Sequence, residues 1–166
     1  MIDELKNIEY VLFDLDGTVS DSSEGITKSA DKALKSEGIN VPFETLTSFI
    51  GPALRVSFGR YTDDVEKRDR MLDVYRERYS EKGWCENKIY PGMAELLRDL
   101  QKSGKHVVLA SAKPEYFCRK IIKYFGVEQY FDFIGGSDME GKRDDKTVLL
   151  TYVLDNIGNP RSDKIV

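Results

Sequence analysis

Histidine is almost missing from this chain: His106 is the single one in 166 residues. A histidine-clustered metal centre is therefore excluded, and His106, which opens the apolar stretch His106-Val107-Val108-Leu109-Ala110, reads as a strand-packing residue. Cysteine is scarce too. Cys85 and Cys118 lie far apart and form no C-x-x-C unit, so they read as reduced thiols of a cytoplasmic protein. No apolar run approaches the roughly 20 residues that span a bilayer, and the charged start, Met1 to Lys6, lacks the apolar core of a signal peptide. Nor is there an excess of positive charge. Lys and Arg number 25 against 29 Asp and Glu, a net charge of −4, which gives neither nucleic acid nor an anionic membrane an electrostatic reason to bind. Internal repeats and low-complexity segments are absent. What is present is a globular composition, 40% hydrophobic and 33% charged, long enough for one domain or for a small domain carrying an insertion.

Tyr10 to Leu15 is a short, nearly continuous apolar run that ends in Asp16, the pattern of a strand buried on both faces in a parallel sheet. His106 to Ala110 and Phe131 to Gly135 repeat it, and Lys164-Ile165-Val166 has the look of a fourth strand beginning. Helical spacing falls between these runs. Met93, Leu96, Leu97 and Leu100 share one helical face, with Pro91 at the start and Gly104 at the end. Phe117, Ile121 and Phe125, opened by Pro114 and closed by Gly126, mark a second helix. Val148, Leu149, Tyr152 and Val153, closed by Gly158, mark a third. Strands alternating with helices predict an α/β fold, a doubly wound parallel sheet built from right-handed crossovers. The first and second strands are too far apart for a single crossover, which takes roughly 30 residues. An inserted helical domain is expected at 20–88, leaving 1–19 and 89–166 as the core. Within the insert, Ile26, Ala30, Ala33 and Leu34 form one apolar stripe, and Met71, Leu72, Tyr75 and Tyr79 another. Phe58, Tyr61, Tyr75, Tyr79 and Trp84 read as the core of the insert.

Ligands of open α/β sheets bind beyond the carboxyl ends of the strands, where the first strand delivers Asp14 and Asp16. Gly17 follows and permits a sharp turn. Two carboxylates this close repel unless a cation lies between them, and Mg²⁺, an oxygen-seeking ion that often carries substrate phosphate, suits them. Read singly, Asp14 is equally a strand-end turn residue and Asp16 a helix cap. After the second strand, Ser111 precedes a helix start at Pro114. Its hydroxyl and the amides of Ala112 and Lys113 suit an anion near a helix N-terminus, although an ordinary Ser cap fits the same residues. Before the last helix lies Gly141-Lys142-Arg143-Asp144-Asp145-Lys146-Thr147. Lys142 and Arg143 read as a solvated face. Lys146 stands in the first helical turn, where a cation is unfavourable, which points to a functional reason for it.

The segment Asp14-Leu15-Asp16-Gly17-Thr18-Val19 resembles the first motif of the haloacid dehalogenase superfamily. The resemblance covers nearly the whole chain, and the insert resembles the helical cap of the superfamily's phosphoglycolate phosphatase-like branch. It implies a phosphatase acting on a small phosphorylated metabolite, phosphoglycolate-like or nucleotide-like. Asp14 would be the nucleophile that becomes an aspartyl phosphate, and Asp16 the general acid/base. Ser111 would hold the phosphoryl group, and Lys146 would bridge nucleophile and phosphate. The Asp14 carboxylate and the Asp16 backbone carbonyl would bind Mg²⁺. Gly17, Thr18, Ala112 and Lys113 are carried over as substrate-binding positions, and Lys113 adds positive charge. Arg55, in Phe49-Ile50-Gly51-Pro52-Ala53-Leu54-Arg55, matches a cap segment that faces the active site in that branch, while a surface arginine fits the position equally well.

One motif of the resembled pattern is absent. The family places Gly-Asp-x-x-x-Asp after its fourth strand, and this sequence stops at Val166, so a partial chain with a weakened Mg²⁺ site is expected. Activity dependent on self-association, as a homodimer, stays open. Phosphosugar mutase and a catalytically silent fragment or binding module remain as rivals. A phosphoaccepting receiver fits less well, because its acidic pair follows another strand and it carries no large helical insert. Dehalogenase chemistry leaves Asp16 without a use.

Overall fold

The computed structural model describes residues 6–166. Residues 1–5, on which most of the reading of the N-terminal segment falls, lie outside the described residues. In chain order the elements are β1 (Tyr10–Phe13), β2 (Ser20–Asp21), α1 (Ser23–Ser36), α2 (Leu54–Gly59), α3 (Val65–Arg78), β3 (Lys88–Ile89), α4 (Met93–Lys102), β4 (His106–Pro114), α5 (Glu115–Tyr124), β5 (Phe133–Ser137) and α6 (Lys146–Asn156). The chain divides into two compact units, one of Met1–Val19 with Ile89–Val166, the other of Ser20–Lys88.

The first unit is an α/β layer structure. Its sheet runs in the order β1-β4-β5 with all neighbours parallel. The chain returns at its end to the other side of β1. Ile165 bridges Tyr10 in parallel, the Leu12 amide donates to the Val166 carbonyl at 2.7 Å, and the Val166 amide to the Tyr10 carbonyl at 3.0 Å. The direction of winding therefore reverses beside β1, so the carboxyl end of β1 lies at a topological switch point. Side chains alternate across the sheet. Tyr10, Leu12, Val108 and Phe133 pack with Leu149 and Val153 of α6. Val11 and Phe13 face the other way, toward Leu96 and Leu100 of α4. Full burial, as at Val108, Leu149 and Val153, contributes about 1.5–3 kcal/mol for each side chain, and the partly buried residues of β1 contribute less.

Several local expectations shift. The third strand is Phe133–Ser137, not Phe131 to Gly135, because Glu128–Tyr130 closes into a 3₁₀ turn and delays the extended segment. β4 runs on to Pro114, so Ser111 caps no helix. The amides of Ala112 and Lys113 belong to that strand rather than to a helix N-terminus, and α5 starts at Glu115 with Pro114 as its cap residue. α4 begins at Met93, after a turn at Pro91 and Gly92. Of its apolar stripe Leu97 is buried but Leu96 is exposed, since part of that face borders an open groove. In α6 only Leu149 and Val153 of the expected stripe are buried, and Val148 faces solvent. His106 is exposed at the amino end of β4 and stacks on Tyr10 at 4.6 Å.

The second unit is helical. Where the chain enters and leaves it, Ser20–Asp21 pairs with Lys88–Ile89 as a short ribbon. α1 packs on α3, and Ala30, Ala33, Leu34, Leu46, Phe49, Phe58, Met71, Leu72, Tyr75 and Tyr79 form the interior. Tyr61 stacks on Phe49, and Trp84 is half-buried. After α3 the helix loosens into a π turn at Tyr79–Gly83, which lies directly against α1. A Cβ on Gly25 would lie 2.0 Å from the Gly83 carbonyl oxygen, so only glycine permits that approach.

Candidate active site

The site begins with sheet register. Phe13 is level with Leu109, so Asp14 to Asp16 leaves β1 beside the stretch of β4 that carries Ser111 and Lys113. Gly17, at φ +80°, turns the chain there in the left-handed region open to glycine. The Leu15 amide donates to Asp14 Oδ1 at 2.7 Å. From the far side, Lys146 Nζ stands 4.0 Å from Asp14 Oδ2, its side chain 71% exposed.

Asp16 is held differently. Lys113 Nζ lies 3.0 Å from Asp16 Oδ2, with the two side chains 6% and 9% exposed. A buried pair of this kind depends on both partners, and removing one costs about 3–5 kcal/mol because the other charge is stranded. The second carboxylate oxygen, Oδ1, is buried with no hydrogen-bond partner among the described residues. Ser111 is buried. Its Oγ accepts from the Lys113 amide at 3.4 Å, which leaves the hydroxyl proton to donate elsewhere.

Lys146 is the first residue of α6, and Asp145 caps the helix by accepting from the amides of Thr147 and Val148. That carboxylate relieves the penalty of a lysine at the positive helix end. The strap from β5 to α6 is ordered by groups that sequence reading missed. Asp138 accepts from the amides of Glu140, Lys142 and Arg143 at 2.8–3.0 Å. Burial pushes its carboxyl up, but the backbone amides outweigh that and hold it below the usual carboxylate value. Ser137 donates to Asp144 at 2.6 Å. Arg143 is not simply a solvated face. Its guanidinium lies over the Tyr152 ring at 4.0 Å and donates to the Gly136 carbonyl. Tyr152 in turn donates to Glu115 at 3.1 Å. Only the Asp-then-Gly spacing of Asp138 and Gly141 hinted at the turn, and nothing in the sequence pointed to the Arg143–Tyr152 contact.

The structure thus brings Asp14, Asp16, Ser111, Lys113 and Lys146 to the carboxyl end of the sheet, with Ala112 between two of them and Gly17 and Thr18 in the exposed turn. Arg55 belongs to the helical unit, where it pairs with Asp69 at 2.8 Å. No group of three or more His, Cys, Asp or Glu side chains fit for a metal occurs among the described residues. The Asp14 carboxylate, partly exposed, and the backbone carbonyl of Asp16 are still the oxygen donors a hard cation takes. Mg²⁺ commonly needs only one or two carboxylates, completing its shell from water and substrate phosphate.

Residues 11–165 match the family model described as haloacid dehalogenase-like hydrolase. A 5'-nucleotidase of Pseudomonas aeruginosa is 39% identical over 150 residues, 89% of this chain and 68% of that protein. A protein named tyrosine-protein kinase PtkA from Mycobacterium tuberculosis is 35% identical over 95% of this chain, which spans only 54% of its length. Among solved structures, a predicted phosphatase from Clostridium acetobutylicum superposes with a TM-score of 0.91 at 40% identity, over 96% of this chain and 74% of that one. With its motif residues gathered at the end of β1 and a family match running over most of its length, this chain belongs to the haloacid dehalogenase-like hydrolases.

Proposed function

We propose that this chain is the catalytic part of a Mg²⁺-dependent phosphatase that hydrolyses a small phosphomonoester through an aspartyl phosphate on Asp14. The observation that carries the reading is the pairing of two carboxylates with two lysines at one strand end, Asp14 with Lys146 and Asp16 with Lys113. A carboxylate oxygen of Asp14 attacks phosphorus, and the bond from phosphorus to the ester oxygen breaks. Asp16 delivers the proton that the departing alkoxide needs. Water then attacks phosphorus with Asp16 as base, and Asp14 is regenerated. Lys146 and the Ser111 hydroxyl offset charge on the transferring oxygens. Mg²⁺, held by the Asp14 carboxylate and the Asp16 carbonyl, would neutralise phosphate charge and so lower its repulsion from the nucleophile.

Relatives named 5'-nucleotidase and phosphoglycolate phosphatase support a metabolite-sized substrate, with a nucleoside monophosphate favoured by the higher identity of the former. The free thiols of Cys85 and Cys118 support a reducing, cytoplasmic setting. The test is release of phosphate from an aryl phosphate and from nucleoside monophosphates with Mg²⁺ present. Asp14→Asn is expected to lower the rate at least ~10³-fold, since it removes the nucleophile. An unchanged rate in that variant would overturn the reading.

A further inference from the structure

The two lysines of the site are not equivalent. Lys146 is largely exposed and stands at the outer limit of an ion pair with Asp14, whereas Lys113 is buried and in direct contact with Asp16. The Asp16 carboxylate is nevertheless poorly satisfied, because its other oxygen has no partner among the described residues. One cation therefore holds it in place. That cation shares a backbone stretch with Ser111, whose hydroxyl accepts from the Lys113 amide. An anion bound by Ser111 would arrive beside the Lys113 ammonium and compete for it.

We propose that Lys113 is an anion-triggered latch on Asp16. In the resting chain the ammonium grips Asp16 Oδ2. When a phosphoryl dianion enters, Lys113 turns to its oxygens, and the Asp16 carboxylate is released toward the ester oxygen. Lys113 is thus a positioning residue for Asp16 as well as an anion ligand, and Asp16 is freed only when there is a phosphate to act on. A buried ion pair has two discrete states here, closed on itself or opened by a competing charge. The proposal rests on the phosphatase reading above.

The test is a binding cycle that needs no turnover. Inorganic phosphate is titrated calorimetrically, with MgCl₂ present throughout, into the wild-type chain, Asp16→Asn, Lys113→Gln and the double variant. Any carboxylate near a phosphate repels it, so Asp16→Asn tightens binding in both backgrounds. The latch adds a contribution that requires the lysine, so the gain should be about tenfold larger in the wild-type background than in the Lys113→Gln background, a coupling between neighbouring groups. Equal gains in the two backgrounds would mean that the pair is a fixed structural bridge and would overturn the latch alone. If no variant binds phosphate, the phosphatase reading falls, and the latch with it. Should Lys113→Gln fail to fold, Lys113→Arg takes its place. A guanidinium can fork onto both Asp16 oxygens, so phosphate should bind more weakly than to wild type and Asp16→Asn should restore it. A folded Lys113→Arg variant that binds phosphate as wild type does, or is not restored, overturns the proposal.

Discussion

Cys118 lies on α5 with none of its surface exposed, and its thiol donates to the Lys113 carbonyl at 3.4 Å. Burial pushes the thiol well above its usual range, and the nearby carboxylates of Asp16 and Asp14 add to that against the opposing charge of Lys113. The thiolate is the reactive form, so Cys118 should stay inert in the folded chain. Cys85 is only partly buried. Titration with a thiol reagent at pH 8 is expected to modify Cys85 promptly and Cys118 only after denaturant is added. Rapid labelling of both in the native state would show that α5 opens far more easily than its packing implies. Because Cys118 hangs from the Lys113 carbonyl, its protection also reports on the backbone of β4 beside Ser111.

Among the elements, the strap between β5 and α6 does most to place a charged group at the candidate site, since Lys146, 4.0 Å from Asp14, is reached only through it. Asp138 organises the strap with bonds from three backbone amides. Its carboxyl is held below the ordinary value, and a depressed folded value has a defined sign. The stabilisation is fully present above the unfolded value, 3.8 for an unperturbed aspartate, and is lost as pH falls through the folded one. Asp138→Ala is therefore expected to lower stability at pH 7 by roughly 2 kcal/mol, the scale of a few net hydrogen bonds. The gap from wild type should shrink below about pH 4, as the wild-type carboxylate itself becomes protonated. Urea melts of both proteins at several pH values measure this. A gap that does not change with pH would mean that the strap gains nothing from the carboxylate charge. Arg143 shows why a charge run is a poor guide to this element. Its neighbours in sequence suit a solvated face, but Tyr152, one helical turn and a half into α6, offers an aromatic ring to lie on.

On the scale of the molecule, the two faces of the sheet are covered unequally. α6 packs on the face of Tyr10, Leu12 and Val108, burying Val108 fully and the other two in part. On the other face a cavity of about 480 Å³ lies open among Val11, Phe13, Leu96, Leu100 and Val166. Apolar surface of this kind binds hydrophobic dyes. The native chain is expected to enhance the fluorescence of an anilinonaphthalene sulfonate, and Leu96→Asp, on an exposed position of α4, should weaken that binding about tenfold or more, by the loss of one apolar side chain and the gain of a charge. Native protein that leaves the dye dark would mean that the groove closes in solution.

What the sequence determined by itself was everything carried by short-range pattern. The run from Tyr10 to Leu15, the stripes in α1, α3 and α5, and the order of strands and helices follow from the periodicity of apolar residues, which depends only on local geometry. The placing of Asp14 and Asp16 at a strand end, and of Lys146 in a first helical turn, was legible for the same reason, since these are local places, whereas the roles given to them came from the family resemblance. Boundaries were less so. β4 ran past Ser111 to Pro114 because its pairing with β5, through Ser111 level with Gly136, outweighs the helix signal of Pro114. The tertiary structure alone decided which lysine meets which carboxylate. Lys113 read as one more phosphate-side cation, and only the register of β1 on β4 sets it against Asp16 as a largely buried pair. Contacts of this kind join residues far apart in the chain through the alignment of strands, and no spacing along the sequence encodes them.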